Sequence, residues 1–157
     1  MRARFLAAIA AVIFFSAPPA VAETLTQTLE AFGFFGRWAI DCSAPPSAEN
    51  TVRTARVSLT GEPIFSENLG GTGEPNAYVI LRAKTLDANT IRVRIKLNGE
   101  YKQDLTMHRR DDRIHTITNR EVDTGEYIVR RGVVVSTGRA TPWLTRCEQQ
   151  PPVREQT

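Results

Sequence analysis

Ile91-Arg92-Val93-Arg94-Ile95-Lys96-Leu97 places an aliphatic side chain at every odd position and a cation at every even one. Successive side chains on a strand point to opposite faces, so the stretch predicts a half-buried strand with one face in a core and the other in water. Asn98-Gly99, which follows, marks a hairpin. A two-residue turn there would set Val93 opposite Asp104 and Ile91 opposite Thr106, apolar against polar. A loop one residue longer sets Leu97 by Tyr101, Val93 by Leu105, Ile91 by Met107 and Arg94 by Asp104. Because a one-residue slip exchanges the two faces of a strand, the longer loop or a bulge is the expected register.

Strand-like stretches continue on both sides of this hairpin, at 37–42, 52–59, 63–68, 78–84, 101–108, 113–118, 126–130, 133–137 and 143–147. In 78–84, Val79, Leu81 and Ala83 form one apolar face. Turn signals separate the stretches, among them Thr60-Gly61, Gly70-Gly71-Thr72-Gly73, Asp111-Asp112 and Asp123-Thr124-Gly125. Segment 43–51, with Pro45-Pro46, reads as a loop. Near the start, Thr24-Leu25-Thr26-Gln27 has the form of a capping box, Leu25, Leu29 and Phe32 share a helical face, and Gly33 supplies a stop. The fold class is therefore all-β: an antiparallel meander of about eight strands, forming a barrel or strongly bent sheet, with one short N-terminal helix over 25–32.

The first 22 residues have a different character. Arg2 and Arg4, an apolar run from Phe5 to Phe15 and the small-x-small triplet Ala20-Val21-Ala22 predict a cleavable secretory signal, cut after Ala22. The run is too short for a transmembrane segment. Of the 157 residues, 23–148 then form a single β domain and 149–157, with Pro151-Pro152, a disordered tail. Removing 1–22 takes two of the 20 basic residues and none of the 17 acidic ones, leaving 18 against 17 and a net charge of +1. That near balance argues against nucleic acid as a partner. In a secreted or periplasmic protein two cysteines pair, so Cys42 and Cys147, 105 positions apart, are expected to form a disulfide.

A pattern W-x-x-x-C occurs twice, at Trp38 to Cys42 and Trp143 to Cys147. Its structural reading packs both indoles around the disulfide, because an even separation on a strand keeps Trp and Cys on one face. Its functional reading makes an indole the floor of a ligand cavity. Gly36-Arg37-Trp38, opening the first strand after a short helix, resembles the G-x-W signature of lipocalins and other calycins. That resemblance implies an eight-stranded barrel binding a small apolar ligand in a central cup, with a basic residue near the last strand, Arg139 or Arg146, across the Trp. The opening W-x-x-x-C is also similar to that of some secreted bacterial invasion-associated proteins, whose downstream cysteine spacing is absent here.

On this reading the protein is a non-catalytic binding protein for a small apolar or amphipathic ligand, lined by Trp38, Tyr78, Tyr101 and Trp143. The alternative is a cell-envelope interaction protein. Pairing 78–84 with 91–97 places Arg82, Lys84, Arg92, Arg94 and Lys96 on one outer face, with Lys102 following, where an anionic lipid or glycan would offset their mutual repulsion. Asp104 and nearby acids would neutralise that face in part. His108 and His115, facing across the Asp111-Asp112 turn with Asp104 near, are a candidate metal pair, with surface histidines as the preferred reading. No serine sits in a G-x-S-x-G elbow, and the glycine-rich loop at 70–73 precedes no helix. No catalytic residue, metal or cofactor is expected.

Overall fold

A computed structural model describes residues 23–97 and 101–147. The expected signal at 1–22, the Asn98-Gly99 turn and the tail at 149–157 lie outside the described residues. Helix α1 (Leu25–Phe32) is capped as its sequence requires. The Gln27 backbone N–H donates to Thr24 Oγ1 at 3.2 Å, and the Thr24 N–H donates to Gln27 Oε1 at 2.9 Å. It ends at Gly33, whose φ of 73° is the left-handed value that favours glycine.

Ten strands follow: β1 (Gly36–Ala39), β2 (Val52–Val57), β3 (Pro63–Asn68), β4 (Asn76–Asp87), β5 (Thr90–Leu97), β6 (Tyr101–Arg110), β7 (Arg113–Glu121), β8 (Tyr127–Arg130), β9 (Val133–Val134) and β10 (Leu144–Cys147). Strands β1 to β7 pair in sequence, each antiparallel to the next. The last strand, β10, lies between β1 and β7, matching Trp38 to Arg146 on one side and Leu144 to Ile114 on the other. Eight strands thus close into an antiparallel barrel. Strands β8 and β9 form a hairpin that leaves the barrel along the far half of β7.

The β5–β6 register is the one that the apolar alternation demands. Leu97 faces Tyr101, Arg94 faces Asp104, Val93 faces Leu105 and Ile91 faces Met107. Strand β4 departs from its expected face. The ladder is in register through Ile80 and resumes at Arg82, so Leu81 is an extra residue that bulges out and is exposed. Tyr78 and Ile80 before the bulge and Ala83 after it pack into the core, in place of the strict alternation through Val79, Leu81 and Ala83 that the sequence predicts.

One contiguous core fills the barrel, from Leu29 and Phe32 of α1 through Trp38, Phe65, Ile95 and Met107 to Leu144. Cys42 and Cys147 are bonded, with their Cα atoms 5.4 Å apart. The indoles do not surround that bridge. Strand β1 ends at Ala39, so Cys42 is reached through a turn and the strand parity that would align it with Trp38 no longer applies. The disulfide instead covers Ala39 and Val52 on the outer side of the wall. Replacing both cysteines by serine should lower the unfolding free energy by about 2–5 kcal/mol, since the bridge closes a loop of ~100 residues. Denaturant titration of the double variant against the oxidised protein checks this.

Candidate functional site

At the end of the barrel from which β1 starts, two arginines hold α1 in place. The Trp38 indole N–H donates to Phe34 O at 3.2 Å, and the Arg146 guanidinium lies over the Trp38 ring, 4.5 Å from its centroid. Arg146 also donates to Gly33 O, and Arg109, stacked over Phe32, donates to Phe32 O. The terminal carbonyls of the helix therefore end on positive charge. Of the two basic residues considered for the place across Trp38, Arg146 occupies it, and Arg139 sits in an exposed turn.

The interior below, around Trp38, is closely packed. A void of about 10 Å³ remains among Phe34, Trp38, Ala55, Phe65, Met107 and Arg53, room for a single water at most. Arg53 crosses the lumen from β2 to β7. Its Nε pairs with Glu67 Oε1 at 2.9 Å, and its Nη1 donates to Thr116 Oγ1 at 3.0 Å. Tyr78 lies nearby, its phenol held above the ordinary range by burial and then by the Glu67 charge. Asn119 Nδ2 donates to Gln103 Oε1 at 2.9 Å, and Asn119 Oδ1 is buried without a partner.

The four proposed lining residues do not share a cavity. Trp38 and Tyr78 are buried parts of the core, with Tyr78 against Phe65. Tyr101 is exposed at the end of β6. Trp143 lies outside the barrel, stacked on His115 with ring centroids 4.0 Å apart. His108 and His115 do face each other, as register partners with centroids 6.1 Å apart. His108 Nδ1 shares a hydrogen bond with Thr90 Oγ1 at 3.1 Å, and Asp104 is engaged elsewhere by Arg94. Among the described residues no three potential ligands come together to hold a metal.

The basic residues, by contrast, form the single face that strand pairing predicts. The bulge at Leu81 restores Arg82 to a position opposite Arg94 and Lys84 to one opposite Arg92, and Lys96 faces Lys102. Three like-charged pairs thus stand directly across from one another, each a destabilising arrangement. Among the described residues, Asp104 is the carboxylate that forms an ion pair with them. Asp104 accepts from Arg94 Nε and Nη2, both at 2.7 Å, in a bidentate pair. Arg94 first, and then the charges of Arg92 and Arg120, hold the Asp104 carboxyl below its ordinary value against the opposing effect of burial. Beside the pair, Arg82, Lys84, Arg92 and Arg94 rim an open hollow of about 250 Å³.

A second, larger hollow of about 670 Å³ opens where β1, β2 and β10 meet, between Phe35, Val57, Arg37, Arg56 and Arg146. Arg37 already donates to Cys42 O and Arg146 to Gly33 O, which leaves Arg56 as its uncommitted cation among the described residues.

Comparisons of the chain with protein-family models, curated proteins and solved structures returned no match. What stands on structure alone is an all-β protein, a disulfide-linked, closed eight-stranded barrel compatible with a lipocalin-like fold, with an interior closely packed around Trp38 and a cationic outer wall.

The His115–Trp143 stack carries a pH signature. Burial, and then the neighbouring His108, hold the His115 imidazole below its ordinary 6.5. The stability this confers is complete above 6.5 and is lost as pH falls from there through the lower folded-state value. Denaturation followed by tryptophan fluorescence at about pH 7.5 and about pH 5 should show the loss, and His115→Gln should reduce it.

Proposed function

We propose that this protein is a non-catalytic binding protein of an extracytoplasmic compartment, engaging an anionic partner of the cell envelope through the outer wall of β4, β5 and β6. The observation that carries this reading is the set of three like-charged cross-strand pairs, Arg82 with Arg94, Lys84 with Arg92 and Lys96 with Lys102. Cations solvated for solubility alone are normally interspersed with acids. Here the barrel holds a cluster of like charge although 18 basic residues after position 22 are nearly matched by 17 acidic ones. Among the described residues Asp104 forms an ion pair within this cluster, and the remaining repulsion is left for a partner to offset. A lipid phosphate and an acidic glycan both have that chemistry.

The location outside the cytoplasm is supported by the disulfide and by the signal-like sequence of residues 1–22. No helix among the described residues is long and apolar enough to cross a membrane. Kinship with lipocalins is supported by the barrel, by Gly36-Arg37-Trp38 and by the Arg146 stack, and a lipocalin-like ligand in the lumen is disfavoured by the close packing around Trp38. A small amphipathic anion is the second reading. The hollow at Phe35, Val57 and Arg56 favours it, with Arg56 meeting the charged end and the two apolar side chains the rest.

Phosphatidylglycerol vesicles and soluble polygalacturonate are suitable probes of the wall. Binding to one or both is expected at low ionic strength, weakening as salt screens the exposed charges. Arg92→Glu should reduce affinity about tenfold or more, and Arg56→Glu should leave it unaltered. Asp104→Asn should strengthen binding by releasing Arg94, while costing about 0.2–1 kcal/mol of stability with the lost ion pair. Affinity indifferent to both salt and Arg92→Glu would eliminate the cationic wall as the binding surface.

A further inference from the structure

The cations of the wall are ordered as well as numerous. Arg82 faces Arg94, Arg94 faces Asp104, Asp104 faces Arg120 and Arg120 faces Tyr127, so one unbroken row crosses β4, β5, β6, β7 and β8. Lys84 and Arg92 lie on one side of it, and Lys96 and Lys102 on the other. At the far end the guanidinium carbons of Arg120 and Arg130 lie 5.7 and 5.6 Å from the centre of the Tyr127 ring. Neighbouring strands are about 4.8 Å apart, so four steps extend roughly 19 Å.

The direction of the row discriminates between partners. Hydrogen-bonded ladders run around the circumference of a barrel, and β4 to β7 covers three of its eight steps. Side chains at the two ends therefore point in widely different directions. A bilayer surface is flat on this scale and meets only part of such an arc. A flexible linear chain follows it, and a chain bearing one charge per repeat can reach the cations of β4, β5 and β7, Arg82, Arg94 and Arg120, while passing over the Arg94–Asp104 pair on β6. Polyuronates have that arrangement, with one carboxylate on each sugar.

Resting on the proposal that the wall binds anions, we infer that its partner is a linear acidic polysaccharide laid across the strands along the row from Arg82 to Arg120. Its carboxylates meet Arg82 and the Arg92–Lys84 pair at one end and Arg120 and Arg130 at the other. Asp104 occupies the middle as a fixed acid, holding Arg94 in place where the chain passes over it.

Calorimetric titration of the full mature chain with oligogalacturonates, from the monomer to the octamer, tests this. Affinity should rise about tenfold from dimer to hexamer as two or three exposed ion pairs are added, then level off once the row is spanned. Arg82→Glu at one end and Arg120→Gln at the other should each lower hexamer affinity more than dimer affinity, and circular dichroism checks that both variants fold. Affinities equal at every length, or unaltered by both substitutions, would overturn the linear arrangement while short-anion binding kept the wall itself as a binding surface. Tighter binding to phosphatidylglycerol vesicles than to any oligomer, unaffected by Arg120→Gln, would assign the wall to a membrane instead. Failure of every oligomer and of the vesicles to bind would overturn both readings.

Discussion

Closure of the sheet between β7, β10 and β1 is the constraint on which the rest of the structure depends. An open sheet can solvate both faces. A closed barrel of eight strands has an interior just wide enough for side chains, so the parity of each residue decides whether it is core or wall. Ile91, Val93 and Ile95 therefore become fully buried, and the alternate residues Arg92 and Arg94 come to the outside whatever the electrostatic cost. The concentration of cations on the wall follows from the same alternation that makes the core.

Local register shifts keep that parity consistent around the barrel. The bulge at Leu81 inserts one residue into β4, and without it Arg82 and Lys84 would be directed into the lumen beside Val93. A register shift between Thr106 and Met107 accommodates β7 in a similar way, leaving Met107 opposite Thr116 and both buried. The interior tolerates the long charged side chain of Arg53 because Glu67 and Thr116 meet its donors and Phe65 lies beneath its guanidinium. The Arg53 charge admitted to the lumen is paired there, whereas on the wall, among the described residues, Asp104 pairs with Arg94 while cations also face one another.

Most of the strand plan was legible in the sequence because hydrophobic alternation and turn residues are local signals. The helix at 25–32, the strand at 63–68 and the β5–β6 register appear where those signals put them. The disulfide was legible from cysteine count and compartment. Leu81 was not, because an isolated bulge leaves no distinct residue type and the apolar Val79-x-Leu81-x-Ala83 series mimics a regular face. The expected cup was illegible for a different reason. Aromatic residues are equally suited to line a cavity or to fill it, and only packing shows that Phe34, Trp38 and Phe65 leave almost no void. The choice of Arg146 over Arg139 likewise required the position of α1, which brings Gly33 O within reach of the guanidinium.

The energetic balance of the wall has a structural consequence. Exposed like-charge pairs each cost a fraction of a kcal/mol, so three of them weigh against a native state whose total stability is on the order of 10 kcal/mol. Placing an acid opposite each cation would remove that cost without disturbing the core, since the outer positions of β5 are independent of the inner ones. Asp104 demonstrates the compatible geometry, with a carboxylate across from Arg94 and both hydrogen bonds at 2.7 Å. The fold therefore accepts an acid opposite a cation at this face. A disulfide that closes a loop of ~100 residues, worth up to about 4.7 kcal/mol, is large enough to carry such a wall. Stability generated where β1 meets β10 adds to the same native-state total that the wall's repulsion, on the opposite side of the barrel, draws down.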